Sequence, residues 1–154
     1  MYISKLVFSI LLIFFASSIY PNVNSSNYLS IPAIGLHEAI VIGYTTSIMK
    51  DGLLLSPRSL KENNWIIYGH RFLSSQPLRK FFNGLNNIQI GNEIELSYNN
   101  KRYTYKVVNI LTVSPKDLWV LSSKYNRQLT LITCTPLLNP VNRLVVISNL
   151  VSEQ

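Results

Sequence analysis

The stretch Leu129-Thr130-Leu131-Ile132-Thr133-Cys134-Thr135-Pro136 constrains this chain more than any other. Every residue from Leu129 to Thr133 is apolar or β-branched, the pattern of a buried strand. Pro136 has no N–H to give a sheet ladder, so the strand must end one or two residues beyond the thiol. Cys134, the only cysteine of the chain, therefore falls at a strand tip, where a side chain can leave the core and meet a groove. Arg143 opens the apolar run Leu144-Val145-Val146-Ile147 and is expected to start a neighbouring strand. The loop from Leu137 to Asn142, carrying Pro140, joins the two.

A free thiol titrates near pH 8.5, so at neutral pH only a minority is nucleophilic thiolate, and a nearby cation raises that fraction. Arg143 is cationic at any biological pH and carries up to five N–H donors. It can stabilise a thiolate, or the oxyanion formed when a thiolate attacks a carbonyl. A leaving amine also needs a proton donor. Of the two histidines, His70 is the better placed: it follows Trp65-Ile66-Ile67-Tyr68, a clear buried strand that ends at Gly69-His70-Arg71. His37, beside Ala39-Ile40-Val41-Ile42, reads as a surface histidine and is given no role.

These residues carry a resemblance. Thr130-Leu131-Ile132-Thr133-Cys134, then Arg143 at a strand start, with Gly69-His70 upstream, is similar to the sortases, the surface-protein transpeptidases of mostly Gram-positive bacteria. Leu29-Ser30-Ile31-Pro32-Ala33-Ile34 resembles the segment that opens their barrel, and Val113-Ser114-Pro115-Lys116-Asp117 their connection before the cysteine strand. The family commonly has Gly-Asp where this chain has Gly91-Asn92, a departure expected to touch a turn and not the chemistry. The resemblance implies a mostly β fold, with Cys134 as nucleophile, His70 as acid and base, and Arg143 as oxyanion donor. Thr130, Thr133 and Thr135 are expected to shape the substrate groove, alternation putting Thr130 on the face of Cys134 and Thr133 on the opposite one. The implied partners are secreted proteins bearing a C-terminal sorting signal, with an amine of cell-wall precursor or a pilin lysine as acceptor. Val-x-Pro-x-Asp and Thr133-Cys134-Thr135-Pro136 lean toward the class D and E group. The short stretch between the N-terminal apolar run and the first strand leaves no room for a long lid, which favours wall anchoring over pilus assembly.

The rest of the chain agrees with a closed, mostly antiparallel β-barrel of seven or eight short strands with one or two short helices. Asn99-Asn100 between alternating runs is a hairpin signal. Phe81, Phe82 and Trp119 are expected in the packing, and Pro77 to Phe82 is expected to make a helical turn. A hydrophobic content of 47% against 14% charged residues suits a packed β domain, not a disordered chain. The net charge of +7 is scattered, with Arg79-Lys80 and Lys101-Arg102 its densest pairs. Nucleic-acid binding clusters its basic charge, so none is expected. Glu62, Glu93, Glu95 and Asp117 form no acidic cluster for calcium, and a lone thiol does not suit zinc, so neither metal nor cofactor is expected.

The N-terminus divides the chain. Lys5 precedes an uninterrupted apolar run from Leu6 to Ala16. As a signal peptide it has suitable length, with Ala16-Ser17-Ser18 for cleavage. As an anchor it is short of the roughly 20 residues that span a bilayer, but Lys5 can snorkel and Tyr20 extends it. The organisation expected is residues 1–20 as signal or membrane anchor, 21–27 as a polar linker and 28–154 as the catalytic barrel, outside the cell at the membrane or, if cleaved, secreted. Two readings from other classes compete with a transpeptidase: a thiol hydrolase using the same Cys134 and His70, and a non-catalytic exported barrel in which Cys134 is only a small buried hydrophobe.

Overall fold

Alternation along one strand sets the plan of the molecule. In the strand Gln128–Thr135, Leu129 and Leu131 join one apolar cluster and Ile132 joins another, so the sheet is apolar on both faces there. The computed structural model describes residues 27–61, 63–71, 81–123, 127–136, 139 and 141–154. The expected anchor at 1–20, nearly all of the linker and most of the helical turn at 77–82 lie outside the described residues.

Eight strands close a barrel: β1 (Tyr28–Ile31), β2 (Leu36–Ile42), β3 (Leu53–Leu55), β4 (Asn64–Tyr68), β5 (Glu93–Tyr98), β6 (Lys101–Val113), β7 (Gln128–Thr135) and β8 (Asn142–Glu153). Their order around the wall is β1-β2-β3-β4-β7-β8-β6-β5. Closure leaves no sheet edge to template aggregation. The expectation of a closed, mostly antiparallel barrel holds, with two parallel pairs, β2–β3 and β4–β7. The helices among the described residues are five short 3-10 turns. Pro32 begins one of them, between β1 and β2, where its missing N–H costs no ladder bond. Asn99 and Asn100 take φ of 50° and 63°, the two left-handed positions that a two-residue hairpin between β5 and β6 demands. In the turn before β5, Gly91 takes φ of 92° and Asn92 accepts the Gln89 N–H at 2.8 Å, so the Gly-Asn departure is confined to a turn.

The barrel interior is filled by side chains such as Leu29, Leu55, Ile67, Leu96, Leu131 and Val146. Phe82 and Leu85 plug it from the segment after β4, and Phe81 is equally buried. A second cluster lies outside the barrel wall: Ile66, Ile132, Val145 and Ile147 are roofed by Val120 and Leu121 from the 3-10 turn Leu118–Leu121. Trp119, expected to pack against the barrel, is instead 46% exposed. In so tight a turn successive side chains diverge, and Val120 takes the inward position. Asp117 precedes that turn and accepts the Ser114 N–H at 2.8 Å.

Candidate active site

The parallel pairing of β4 with β7 decides where the chemistry sits. Two parallel strands end at the same rim, and the antiparallel β8 begins there. In the register, Cys134 stands opposite Arg143, and Tyr68 opposite Ile132. Counting on from that last pair puts His70 level with Cys134. His70, Cys134 and Arg143 thus form one rank across three adjacent chains, on the parity of Ile66, Ile132 and Val145, the outer face. All three are partly exposed, and Cys134 is a free cysteine. The non-catalytic alternative calls for a buried sulfur, whereas Cys134 is partly exposed.

Side chains hold this rank together where the ladder stops. The Gly69 N–H donates to the Ile132 carbonyl at 3.1 Å, the last backbone bond between the two strands among the described residues. Beyond it the Thr133 hydroxyl donates to the Gly69 carbonyl at 2.8 Å, and Arg71 Nη1 donates to the Thr135 hydroxyl at 2.9 Å. One bond precedes the His70 level and the other follows it. Beneath, the Phe82 N–H donates to the His70 carbonyl at 3.0 Å, and the Phe81 ring meets the imidazole nearly perpendicularly, centroids 6.2 Å apart. A Cβ on Gly69 would lie 2.5 Å from Phe82 and 2.7 Å from Leu53, so any side chain before the histidine must displace one of them.

The threonines divide. Thr130 is 0% exposed; it donates to Asn64 Oδ1 at 2.7 Å and accepts from Gln128 Nε2 at 2.9 Å. Thr133 is 2% exposed and committed to Gly69. Neither offers surface to a substrate in this conformation. Thr133 supports the site from the inner face and Thr130 lies covered on the outer one, because burial obliges a hydroxyl to find partners inside the protein. Thr135, partly exposed, is held by Arg71. The opening beside Arg143, a cavity of about 120 Å³, is lined by apolar residues that include Leu118, Leu121, Ile132 and Val145, with Tyr68, Ser114 and Asp117 as its other polar side chains. Burial pushes the Tyr68 phenol above its ordinary value. Arg143 Nη1 donates to the Asn142 carbonyl at 3.0 Å, which fixes the guanidinium and leaves other N–H groups to face the cavity. Chemically the rim offers a thiol in register between an imidazole and a fixed cation, with a small, mostly apolar slot beside the cation.

A sortase-domain family model matches residues 29–151. The chain belongs to the sortase family. It is 30% identical to sortase SrtE1 of Streptomyces coelicolor over 114 residues, 68% of this chain and 31% of that protein. It is 27% identical to sortase A of Bacillus anthracis over 129 residues, 82% of this chain and 60% of the other. The crystal structure of Streptococcus pneumoniae sortase C superposes with a TM-score of 0.74 at 29% identity, covering 81% of this chain and 65% of that one. The chain thus spans less than two thirds of these relatives. Arg71 and Asn64, which brace this sortase's site, were not singled out in the sequence. Arg71 stands beside His70 in plain view, but its use depends on the parallel partner of β4, which no local pattern reveals.

Proposed function

We propose that this sortase is a cysteine transpeptidase, a reading carried by the rank of His70, Cys134 and Arg143 at one rim. Cys134 thiolate attacks a backbone carbonyl in the sorting signal of a secreted protein. As the C–S bond forms, the carbonyl electrons move to oxygen, and Arg143 donates to that oxyanion. The intermediate collapses, the C–N bond breaks, and imidazolium His70 gives its proton to the departing amine, leaving a thioester. An incoming amine then attacks the thioester and neutral His70 takes the proton from it. The C–S bond breaks and thiolate returns. The net change exchanges one amine for another, with no redox step and no cofactor.

The acceptor in this reading is an amine of cell-wall precursor. A pilin lysine is the second acceptor, supported by the likeness to the Streptococcus pneumoniae sortase C, whose structure addresses pilin substrate specificity. The apolar run from Leu6 to Ala16 behind Lys5 supports residues 1–20 as a membrane tether with the barrel outside the cell. Membrane fractionation with protease shaving of intact cells tests it; release of the barrel into the medium identifies a cleaved signal instead.

The deciding experiment incubates the chain with sorting-type peptides and amine acceptors, read by mass spectrometry. Cys134→Ala should abolish acyl-enzyme. Arg143→Ala should lower kcat about 10²- to 10³-fold, the usual loss for one oxyanion donor. His70→Ala should lose transfer while the barrel stays folded. Normal activity in any of these variants removes that residue from the mechanism, and cleavage without amine capture makes the protein a hydrolase.

A further inference from the structure

The barrel has two rims, and the chemistry uses only one. β1 enters at Tyr28, and its antiparallel neighbours β2 and β5 end there. Following the pairing on around the wall, β4, β6 and β7 begin at that rim and β8 ends there. Cys134 lies near the other end of β7, about 20 Å of strand from Gln128. The chain leading back to the apolar run from Leu6 to Ala16 therefore leaves from the rim opposite the site. The Asn27 side chain fixes that exit beside the β5–β6 hairpin, accepting the Asn99 N–H at 3.0 Å. Residues 21–26 can span no more than about 20 Å, so a tether in residues 1–20 holds this rim close to a bilayer.

Basic residues scattered along the sequence are gathered here by the fold. Lys101 and Arg127 share one carboxylate, that of Glu153, at 2.9 and 2.6 Å. Lys101 and Arg102 line an open recess of about 460 Å³ with Tyr28, Ser97, Asn100 and Gln154, and no carboxylate side chain is among these six. Arg102 is exposed and makes no ion pair among the described residues. Arg58, exposed on the 3-10 turn Pro57–Lys61 that follows β3, adds a fourth cation. A terminal carboxylate on Gln154 still leaves the balance positive. Of the other carboxylates among the described residues, Asp51, Glu93 and Asp117 lie toward the rim of Cys134, and Glu38 and Glu95 lie within the wall. Ile42 and Tyr44, exposed where β2 ends, give the basic rim apolar and aromatic side chains of the kind that settle at headgroup level.

We propose that this rim is a membrane-binding face: it takes the phosphates of anionic phospholipid headgroups and stands the barrel on the bilayer with His70, Cys134 and Arg143 turned outward. The inference rests on the tether reading, because a short linker supplies the proximity that lets a few exposed charges count. Charge alone suits any polyphosphate, and the exit of the chain at this rim selects the lipid surface. A bound rim gives the site a fixed height of about 20 Å above the headgroups.

The full chain with a fluorophore on Cys134, its only thiol, tests this on two kinds of vesicle, phosphatidylcholine alone and phosphatidylcholine mixed with phosphatidylglycerol. Each carries a short-range energy acceptor in the headgroup layer. The tether alone makes the chain float with both. The basic face should make energy transfer lower on the phosphatidylglycerol vesicles, because the bound rim holds the label away from the surface. High salt should return it to the phosphatidylcholine level. Arg102→Gln should shift the ratio of rim-bound to free orientations about fivefold toward free, the worth of one basic side chain at an anionic surface, and Arg102→Glu further. Glu153→Gln frees Lys101 and Arg127 and should lower transfer below the wild type, a change of sign that unfolding does not produce. Equal transfer on the two lipids, higher transfer on phosphatidylglycerol, or indifference to both Arg102 and Glu153 overturns the proposal. Equal transfer with salt-dependent binding of soluble polyphosphate also overturns it and gives the rim to a wall polyanion. A chain that floats only with phosphatidylglycerol vesicles, and no longer does so as Arg102→Glu, supports the face and overturns the tether alone.

Discussion

The Thr133 hydroxyl donates to the carbonyl of Gly69 at 2.8 Å, one residue before the thiol on one chain and one before the imidazole on the other. The bond lies on the inner face of the wall while Cys134 takes the outer parity, so it works from behind the site. With the Arg71–Thr135 bond at 2.9 Å it spans the level at which His70 and Cys134 meet. The β4–β7 ladder has already ended, and these side chains continue it.

The first prediction follows from that bracket. Thr133→Val keeps the shape but leaves a buried carbonyl unpaired, costing about 1–3 kcal/mol. Arg71→Met and Thr135→Val each break the other clasp. All three should lower kcat more than they raise KM, and the Arg71/Thr135 double variant should be no worse than either single change. The pH–rate profile for alkylation of Cys134 provides a readout that stability alone would not move. An unchanged profile in all three variants, alongside a changed one in His70→Ala, would sink the positioning role.

Gly69→Ala provides the second. The new methyl would sit 2.5 Å from Phe82 and 2.7 Å from Leu53, both fully buried. Overpacking of this kind costs about 1–3 kcal/mol, and relief must come by moving Phe82, whose N–H is bonded to the His70 carbonyl, or Leu53. Thermal melts should show a lower Tm, and acylation should slow beyond what the fraction unfolded explains. A variant with the wild-type Tm shows that the segment yields freely.

The third concerns Asn64, whose Nδ2 donates to the Leu121 carbonyl at 3.1 Å while its Oδ1 accepts from Thr130. This bond ties the roof of the slot to the barrel wall. Asn64→Leu strands both partners, and a loss of about 1–3 kcal/mol is expected for each group left buried without a bond. Because the roof lines the groove and does not touch the reacting atoms, KM should rise more than kcat falls. Denaturant midpoints and steady-state kinetics on one preparation check both halves, and an unchanged KM refutes the link to the groove.

How far the sequence discloses this site depends on the range of each interaction. β7, its stop after Thr135 and the Asn99-Asn100 turn are legible because Pro136, β-branching and positive φ act locally. The convergence of His70, Cys134 and Arg143 is implied by the resemblance that their motif order carries, and strand ends are where side chains meet a groove. The parallel β4–β7 pairing is not legible, and neither are the contacts it adds around the site: the Arg71 clasp, the Asn64–Thr130–Gln128 network and the burial of Thr130. A threonine on the outer parity reads as groove-facing until the Leu118–Leu121 turn is known to cover that face. Trp119 was misjudged for the same reason, because the inward position within that turn is set by contacts distant in sequence.

The last prediction is a pH dependence. Tyr105, 2% exposed, has its phenol pushed well above the usual tyrosine value by burial, and Tyr68 shifts the same way. The sign follows from linkage. In the unfolded chain tyrosine ionises at about pH 10, while in the fold it keeps its proton to higher pH. Above that point the unfolded state binds fewer protons than the native one, so the stability of folding falls as pH rises. The contribution is fully present below about pH 10 and is lost progressively as pH climbs toward the folded value. Urea midpoints measured from neutral to alkaline pH should therefore decline in the wild type. Tyr105→Phe removes the group that must ionise, so its decline should be shallower, with Tyr68→Phe adding a smaller effect. Parallel declines in wild type and Tyr105→Phe would show that Tyr105 ionises in the folded protein as readily as in the unfolded one, contrary to its burial.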